Sequence, residues 1–493
     1  MQKEVVDTAA YKKICTAFKK QRTGLTAADI CAKTALPLNT VKDLVPVAAD
    51  EFSAHLQVTE SGEILYTFPN TWTSKYTGFK ARLRRATDKL LGGIKIAAAA
   101  LFKVWIMVML IGYFVFFLLL ALAGLILSMA ARSSSNSSSN DSGGGGFFIA
   151  NLFEIFIRLW FYSELTKPGR YDSYYGNDPY HNQRKQKGKP LHKAIFSFVF
   201  GDGDPNAGIE EQEKKAIIAY LQAHKGVISL AEFMTLTGSN AKTAEGKITE
   251  FCVQYGGMPE ATEDGTVVYC FDDLLKSADK KDRSFGMVSA PLKQLRKFSA
   301  NKGNMNTAFC FINGINLLFG SYFLYFSLAS NIANAAGVFL YKVAYILMNQ
   351  LAGIADPSSI LLIGLGIVPL AFSFLFWIIP ALRYAFVLED NETIKTDNLR
   401  KAAFTHIIDH PLAVKSSDLK VDAVQCTPAA LASAQDKIIK EIGSVYVPEV
   451  SIDQNGEAVY SFNELEREKQ ALNKYRGTVK TSSTDLGNVI FEA

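Results

Sequence analysis

Residues 196–213 read FSFVFGDGDPNAGIEEQE and hold the densest set of potential ligand oxygens in the chain. Asp202, Asp204, Asn206 and Glu213 fall at positions 1, 3, 5 and 12 of an EF-hand-like loop, with Ile209 at position 8. Oxygen donors at that spacing suit a hard cation such as calcium. The glycine such a loop needs at position 6 is Ala207, with Gly208 one place late, and no partner hand accompanies it. The same residues also suit a turn that opens a helix. Asp-Pro-Asn breaks the chain, and Glu210 and Glu211 complement a helix N-terminus. Both readings stand, and no other cofactor is implied.

Elsewhere, chemistry is sparse. The six cysteines, Cys15, Cys31, Cys252, Cys270, Cys310 and Cys426, form no CxxC or other ligand spacing, so they read as small core residues. His181 and His192 are too isolated to form a metal site. No nucleophile–base set or phosphate loop appears, so the expectation is a protein that is not an enzyme. A net charge of +5 over 493 residues provides no global field for nucleic acid.

The elements that would position such residues come in three similar blocks. A turn dipeptide followed by an alternating strand occurs at ESGEILYTF, EDGTVVYCF and QNGEAVYSF, turning at Ser61-Gly62, Asp264-Gly265 and Asn455-Gly456. Helical patterns precede each hairpin. In the middle block EEQEKKAIIAYLQAHKGV gives the first, and ISLAEFMTLTG the second, capped by Ser229 and stopped by Gly238. NAKTAEGKITEFCVQYG gives the third.

Three helices and a two-stranded wing predict winged-helix-like modules over residues 1–75, 209–280 and 395–475. Tyr66/Phe68, Tyr269/Phe271 and Tyr460/Phe462 recur on the wings, where a stacking platform for bases competes with packing onto the helices. Packing is the simpler role. The third helices mix Lys42 with Asp43, Asp50 and Glu51, Lys242 and Lys247 with Glu245 and Glu250, and Lys437 and Lys440 with Asp436 and Glu441. They contain no arginine, which disfavours DNA and favours protein contacts.

Two apolar blocks interrupt the modules. Residues 96–131 predict a transmembrane helix, roughly 50 Å long against a hydrocarbon core of about 30 Å. A Ser/Gly linker follows at 132–146, then a second crossing or interfacial helix at 147–163, where Glu154 and Arg158 stand one turn apart. Residues 164–208 form a basic, Tyr-rich linker ending in the GDGDPN loop. Residues 306–388 predict a second block of two or three hydrophobic helices, and 476–493 a C-terminal tail. Lysines and arginines flank both blocks, while the Ser/Gly linker has only Arg132. The polar N-terminus has no signal pattern. This predicts a multi-pass protein of the inner (plasma) membrane, two crossings per block, with its soluble modules cytoplasmic.

The run KAIFSFVFGDGDPNAGIEEQEKKAIIAYLQAHKGV, with PEATEDGTVVYCFDDL and the later GINLLFG, resembles an uncharacterised family of bacterial and plant-chloroplast integral membrane proteins with a GDGDPN motif. The resemblance implies a long apolar helix, a Ser/Gly-rich linker and a Tyr-rich basic stretch, and brings no catalytic residues. Some plant members carry an iron–sulfur assembly label, which the scattered cysteines here do not support. The resulting expectation is an α-helical membrane protein with three small α+β winged-helix-like soluble modules. It would act as a scaffold or regulator on a protein partner, with a transporter or channel-like protein and a membrane-tethered DNA-binding regulator as alternatives.

Overall fold

The computed structural model describes residues 9–21, 24–69, 72–75, 79–133, 189–278, 291–302, 304–329, 337–350, 352–419, 428–479 and 486–492. The expected Ser/Gly linker beyond residue 133, the second crossing or interfacial helix at 147–163 and the Tyr-rich segment to residue 188 lie outside them. The described chain is mostly helical, with three sheets of three strands each. It divides into two compact units: Met1–Thr87, Asp204–Arg296 and Asp390–Ala493 in one, Asp88–Gly203 and Lys297–Glu389 in the other.

In the first unit, helices Ala9–Lys20, Ala27–Thr34 and Leu38–Phe52 precede the hairpin β1 (His55–Thr59) and β2 (Ile64–Thr67). Thr26 opens the second of these helices through a capping box with Asp29. The middle segment runs helix Ile209–Ala223, strand β3 (Val227–Ser229), helices Leu230–Thr237 and Ala241–Tyr255, then hairpin β4 (Met258–Ala261) and β5 (Val267–Cys270). Ser229 forms the equivalent capping box with Glu232, and Gly238 ends that helix at φ +67°. Strand β3 was not expected. It pairs with β5 because Val227 and Ile228 are apolar and the chain has just turned at Gly226, φ +75°.

The C-terminal segment differs more. Its first helix is the end of one continuous helix, Val368–Asp409, because residues 389–398, EDNETIKTDN, contain no proline or glycine to stop it. Strand β6 (Val414–Lys415), helix Pro428–Gly443 and hairpin β7 (Glu449–Ile452) and β8 (Ala458–Ser461) follow. Helix Asn463–Thr478 lays Leu472 and Tyr475 against Val227, Val268 and Cys270. Within the expected tail, strand β9 (Val489–Glu492) pairs with β1.

The three segments share one core. Phe18, Ile30 and Val45, Ile218, Phe251 and Phe271, and Phe404, Ile438 and Phe462 all belong to a single buried cluster. Full burial of such a side chain is worth about 1.5–3 kcal/mol. Polar contacts reinforce the joins. Tyr255 donates to the Ala35 carbonyl at 2.8 Å, Lys42 pairs with Asp273 at 2.8 Å, and buried Asp29 accepts from the Ser277 hydroxyl and, at 3.1 Å, the Ala278 N–H. Phe68, Phe271 and Phe462 are buried, so those rings are packed and present no face for base stacking.

The second unit holds the apolar helices. Among the described residues three are long and apolar enough to cross a membrane: Gly93–Ala130, Met305–Leu328 and Ile360–Asp409, the last continuing into the first unit. The first belongs to a helical run that begins at Phe79, earlier than expected, since KARLRRATDKLL is rich in helix formers. Among its described residues the middle stretch of the second block forms the 12-residue helix Phe339–Gln350, about 18 Å long.

Phe117 stacks on Phe319 at 5.0 Å. A Cβ on Gly320 would lie 3.2 Å from the Leu370 nitrogen, so the helices approach closely there. Two π-helical stretches, Val108–Gly112 and Ile360–Ile367, each offer a carbonyl to another helix. Asn316 donates to Leu110 at 2.8 Å, and Tyr113 to Gly364 at 2.9 Å.

Candidate functional site: an asparagine ladder on a basic strap

Residues 291–297, PLKQLRK, form no helix or sheet. Main-chain N–H and C=O groups outside regular structure still need partners. Three asparagine carboxamides supply them, each meeting both main-chain groups of one residue. Asn398 Oδ1 accepts from Lys293 N–H at 2.9 Å and its Nδ2 donates to Lys293 O at 2.8 Å. Asn206 does the same with Gln294, at 2.8 Å both ways. Asn391 does it with Arg296, at 2.7 and 2.9 Å. Only a carboxamide carries an acceptor and donors side by side for this task.

Aspartates beside two of these asparagines take the side chains. Asp397 accepts from Lys293 Nζ at 2.7 Å, and Asp390 from Arg296 Nη1. From the other side, Asp204 accepts from Arg296 Nη2 at 2.8 Å.

Helix geometry sets this match. The pairs Asp390-Asn391 and Asp397-Asn398 stand seven residues apart on one helix, a rise of about 10.5 Å. Lys293 and Arg296 are three residues apart in an extended chain, a span of about 10 Å. The later helix pair meets the earlier strap residue, so strap and helix run antiparallel. Below them, Lys401 is 3% exposed and donates to Pro291 O at 2.9 Å and to Glu213 at 2.6 Å.

The four residues expected to hold a cation are thus each engaged by the chain itself. Asp204 and Asn206 hold the strap, Glu213 pairs with Lys401, and Asp204 Oδ1 also accepts from Asn206 N–H at 2.9 Å, the turn that precedes the helix from Ile209. Asp202 belongs to the other unit, where it accepts from Lys189 Nζ, from Ser197 Oγ at 2.7 Å and from Ala300 N–H at 2.7 Å. Burial pushes its carboxyl upward, but those three hydrogen bonds outweigh it and leave the pKa below the usual range. Among the described residues no group of three or more His, Cys, Asp or Glu stands close enough to hold a metal ion.

The same motif ends helix Leu191–Phe200. Arg383 donates to the carbonyls of Phe198 at 2.7 Å, Val199 at 3.2 Å and Phe298 at 2.6 Å. Gly201, at φ +84°, leaves it room: a Cβ there would stand 2.7 Å from Arg383 Nη1. Asp390, Asn391, Asp397 and Asn398 escape a motif search. Their signal is a doubled Asp-Asn at a spacing of two helical turns, readable only once the helix is known to continue past residue 389.

A mostly helical chain with three small sheets, long apolar helices and an asparagine-clasped strap matches no family model and no solved structure. It is similar to an uncharacterised chloroplastic protein of Arabidopsis thaliana, 26% identical over 263 residues, which are 52% of this chain and 48% of the relative. The chain thus spans about half the length of the curated relative it matches.

Proposed function

We propose that this protein is an integral membrane scaffold whose three winged-helix-like modules act as one protein-binding body. The observation that carries this reading is the single apolar core shared by all three modules. A shared core holds binding surfaces in fixed relation, whereas independent DNA readers would be free to turn. The order helix–strand–helix–helix–strand–strand over residues 209–270 supports the module assignment. Against DNA, Lys42 is paired with Asp273, Lys247 donates to Ser239, and Arg400 is forked onto Glu441 beside the third helix of the last module. The modules carry no catalytic activity of their own in this reading.

In this reading the apolar helices anchor the body in a bilayer, and the basic flanks support an orientation with the modules on the cytoplasmic face of the inner membrane. Alkaline carbonate should leave the protein in the membrane pellet; release into the supernatant rejects the anchor. Purification of the intact chain in detergent after nuclease treatment should retain a reproducible protein partner. Recovery of nucleic acid alone, lost with nuclease, turns the reading to a tethered DNA-binding regulator.

A conduit through the bilayer is a second reading, favoured by fully buried Asn313 and Asn316 among the apolar helices. Buried polar groups within spans are costly and mark pathways. Ion or solute flux in reconstituted liposomes, abolished by Asn316→Leu, would carry it.

A further inference from the structure

The Asp-Asn pairs read the strap as a binding site reads a peptide. Each asparagine takes the main chain of one residue, which any sequence offers, and each neighbouring aspartate selects a cation on that same residue. Gln294 is held by its main chain alone through Asn206, so its side chain is not specified.

A strap built only to close the fold would bury its apolar side chains. Here Leu292 and Leu295 are 44% and 36% exposed. Polar contacts therefore carry the attachment, and hydrophobic burial contributes little. These contacts specify an extended segment with a lysine or arginine at one position and another three residues on.

We propose that this face, made by Asp390, Asn391, Asp397, Asn398, Asp204 and Asn206, is a peptide-recognition site for extended basic-x-x-basic segments of a partner protein, occupied in cis by Lys293–Arg296. The chain's own strap competes with the partner, so apparent affinity is set by how often the strap lets go. This deepens the scaffold reading by giving the chemistry of one partner, and it rests on that reading for its role. The binding itself is tested separately. Failure of the peptide experiment with partner capture intact removes the inference and leaves the scaffold.

The test uses the full chain in detergent and a fluorescent peptide of residues 290–298, APLKQLRKF. The Lys293→Ala/Arg296→Ala variant should bind the peptide about tenfold or more tighter than the unaltered protein. Adding Asn391→Leu and Asn398→Leu should abolish binding, as should replacing the peptide's Lys293 and Arg296 equivalents by norleucine and citrulline. A strap variant that melts like the unaltered protein yet fails to bind overturns the proposal, as does binding that survives the asparagine changes. Should the strap variant not fold, hydrogen exchange on the unaltered protein decides. Excess peptide should speed exchange of the Lys293, Gln294 and Arg296 amides by displacing them, and unchanged rates at millimolar peptide overturn it.

Discussion

Asn398 holds Lys293 by both of its main-chain groups, accepting from the N–H at 2.9 Å and donating to the carbonyl at 2.8 Å. Asn398 is only 6% exposed, so water replaces neither bond easily. Asn398→Asp keeps the shape and the acceptor but removes the donor, setting a carboxylate oxygen against a carbonyl oxygen. It should destabilise the unit by about 1–3 kcal/mol, the cost of a buried unmade hydrogen bond. Urea melts of Asn398→Asp beside Asn398→Gln would measure it; equal midpoints for Asn398→Asp and the unaltered protein would contradict the geometry.

Lys401 and Glu213 form the most buried of these ion pairs, with side chains 3% and 15% exposed and 2.6 Å between them. Lys401→Ala leaves the carboxylate without its cation and should cost about 3–5 kcal/mol. Lys401→Met/Glu213→Leu removes both charges and should recover most of that loss. A double change as damaging as the single one would show that packing, and not the stranded charge, sets the cost.

Helix Asn463–Thr478 is fixed by Arg476, which forks onto Glu232 at 2.7 and 2.9 Å and donates to Val227 O at 2.7 Å. Cys270 lies beneath it, and burial pushes its thiol up to about 11. At pH 8 a maleimide should therefore label Cys270 slowly in the folded protein. Arg476→Ala should loosen the helix and speed labelling several-fold without unfolding the apolar core. Mass spectrometry of the labelled peptide gives the rate.

Burial likewise pushes the Cys31 thiol up to about 12 and the Cys252 thiol up to about 11. The fold holds these thiols protonated, so this contribution to stability is complete below about pH 9. It is lost as pH rises from there through the folded values. Melting temperature should fall between pH 9 and 11. Replacing Cys31, Cys252 and Cys270 with alanine should flatten that fall after allowing for their lost packing.

Asp202 gives the opposite sign. Its folded pKa is lowered, so its contribution is present above the ordinary carboxylate value and is lost as pH falls through the folded one. The Asp202→Asn variant should be less stable than the unaltered protein at pH 7, and the difference should shrink in acid. A gap that stayed constant down to pH 2 would argue against the contacts from Lys189, Ser197 and Ala300.

What the chain could state about itself was local. Gly62, Gly265 and Gly456 take φ of +76°, +81° and +82°, and each stands in a turn dipeptide that closes a hairpin. Ser229 caps and Gly238 stops a helix because each acts on residues within one turn of itself. Long apolar runs are legible for the same reason: length and composition alone fit them to a bilayer's thickness.

The GDGDPN loop shows where that stops. Its acidic spacing suited a cation equally well, and only the arrival of Arg296 at Asp204 and of Lys401 at Glu213 shows what those oxygens meet. The strap and the helix that reads it are 94 to 105 residues apart in sequence. No propensity or period links two such segments. The match between seven helical residues and three extended ones exists only when the two lie side by side, and that is a property of the tertiary structure.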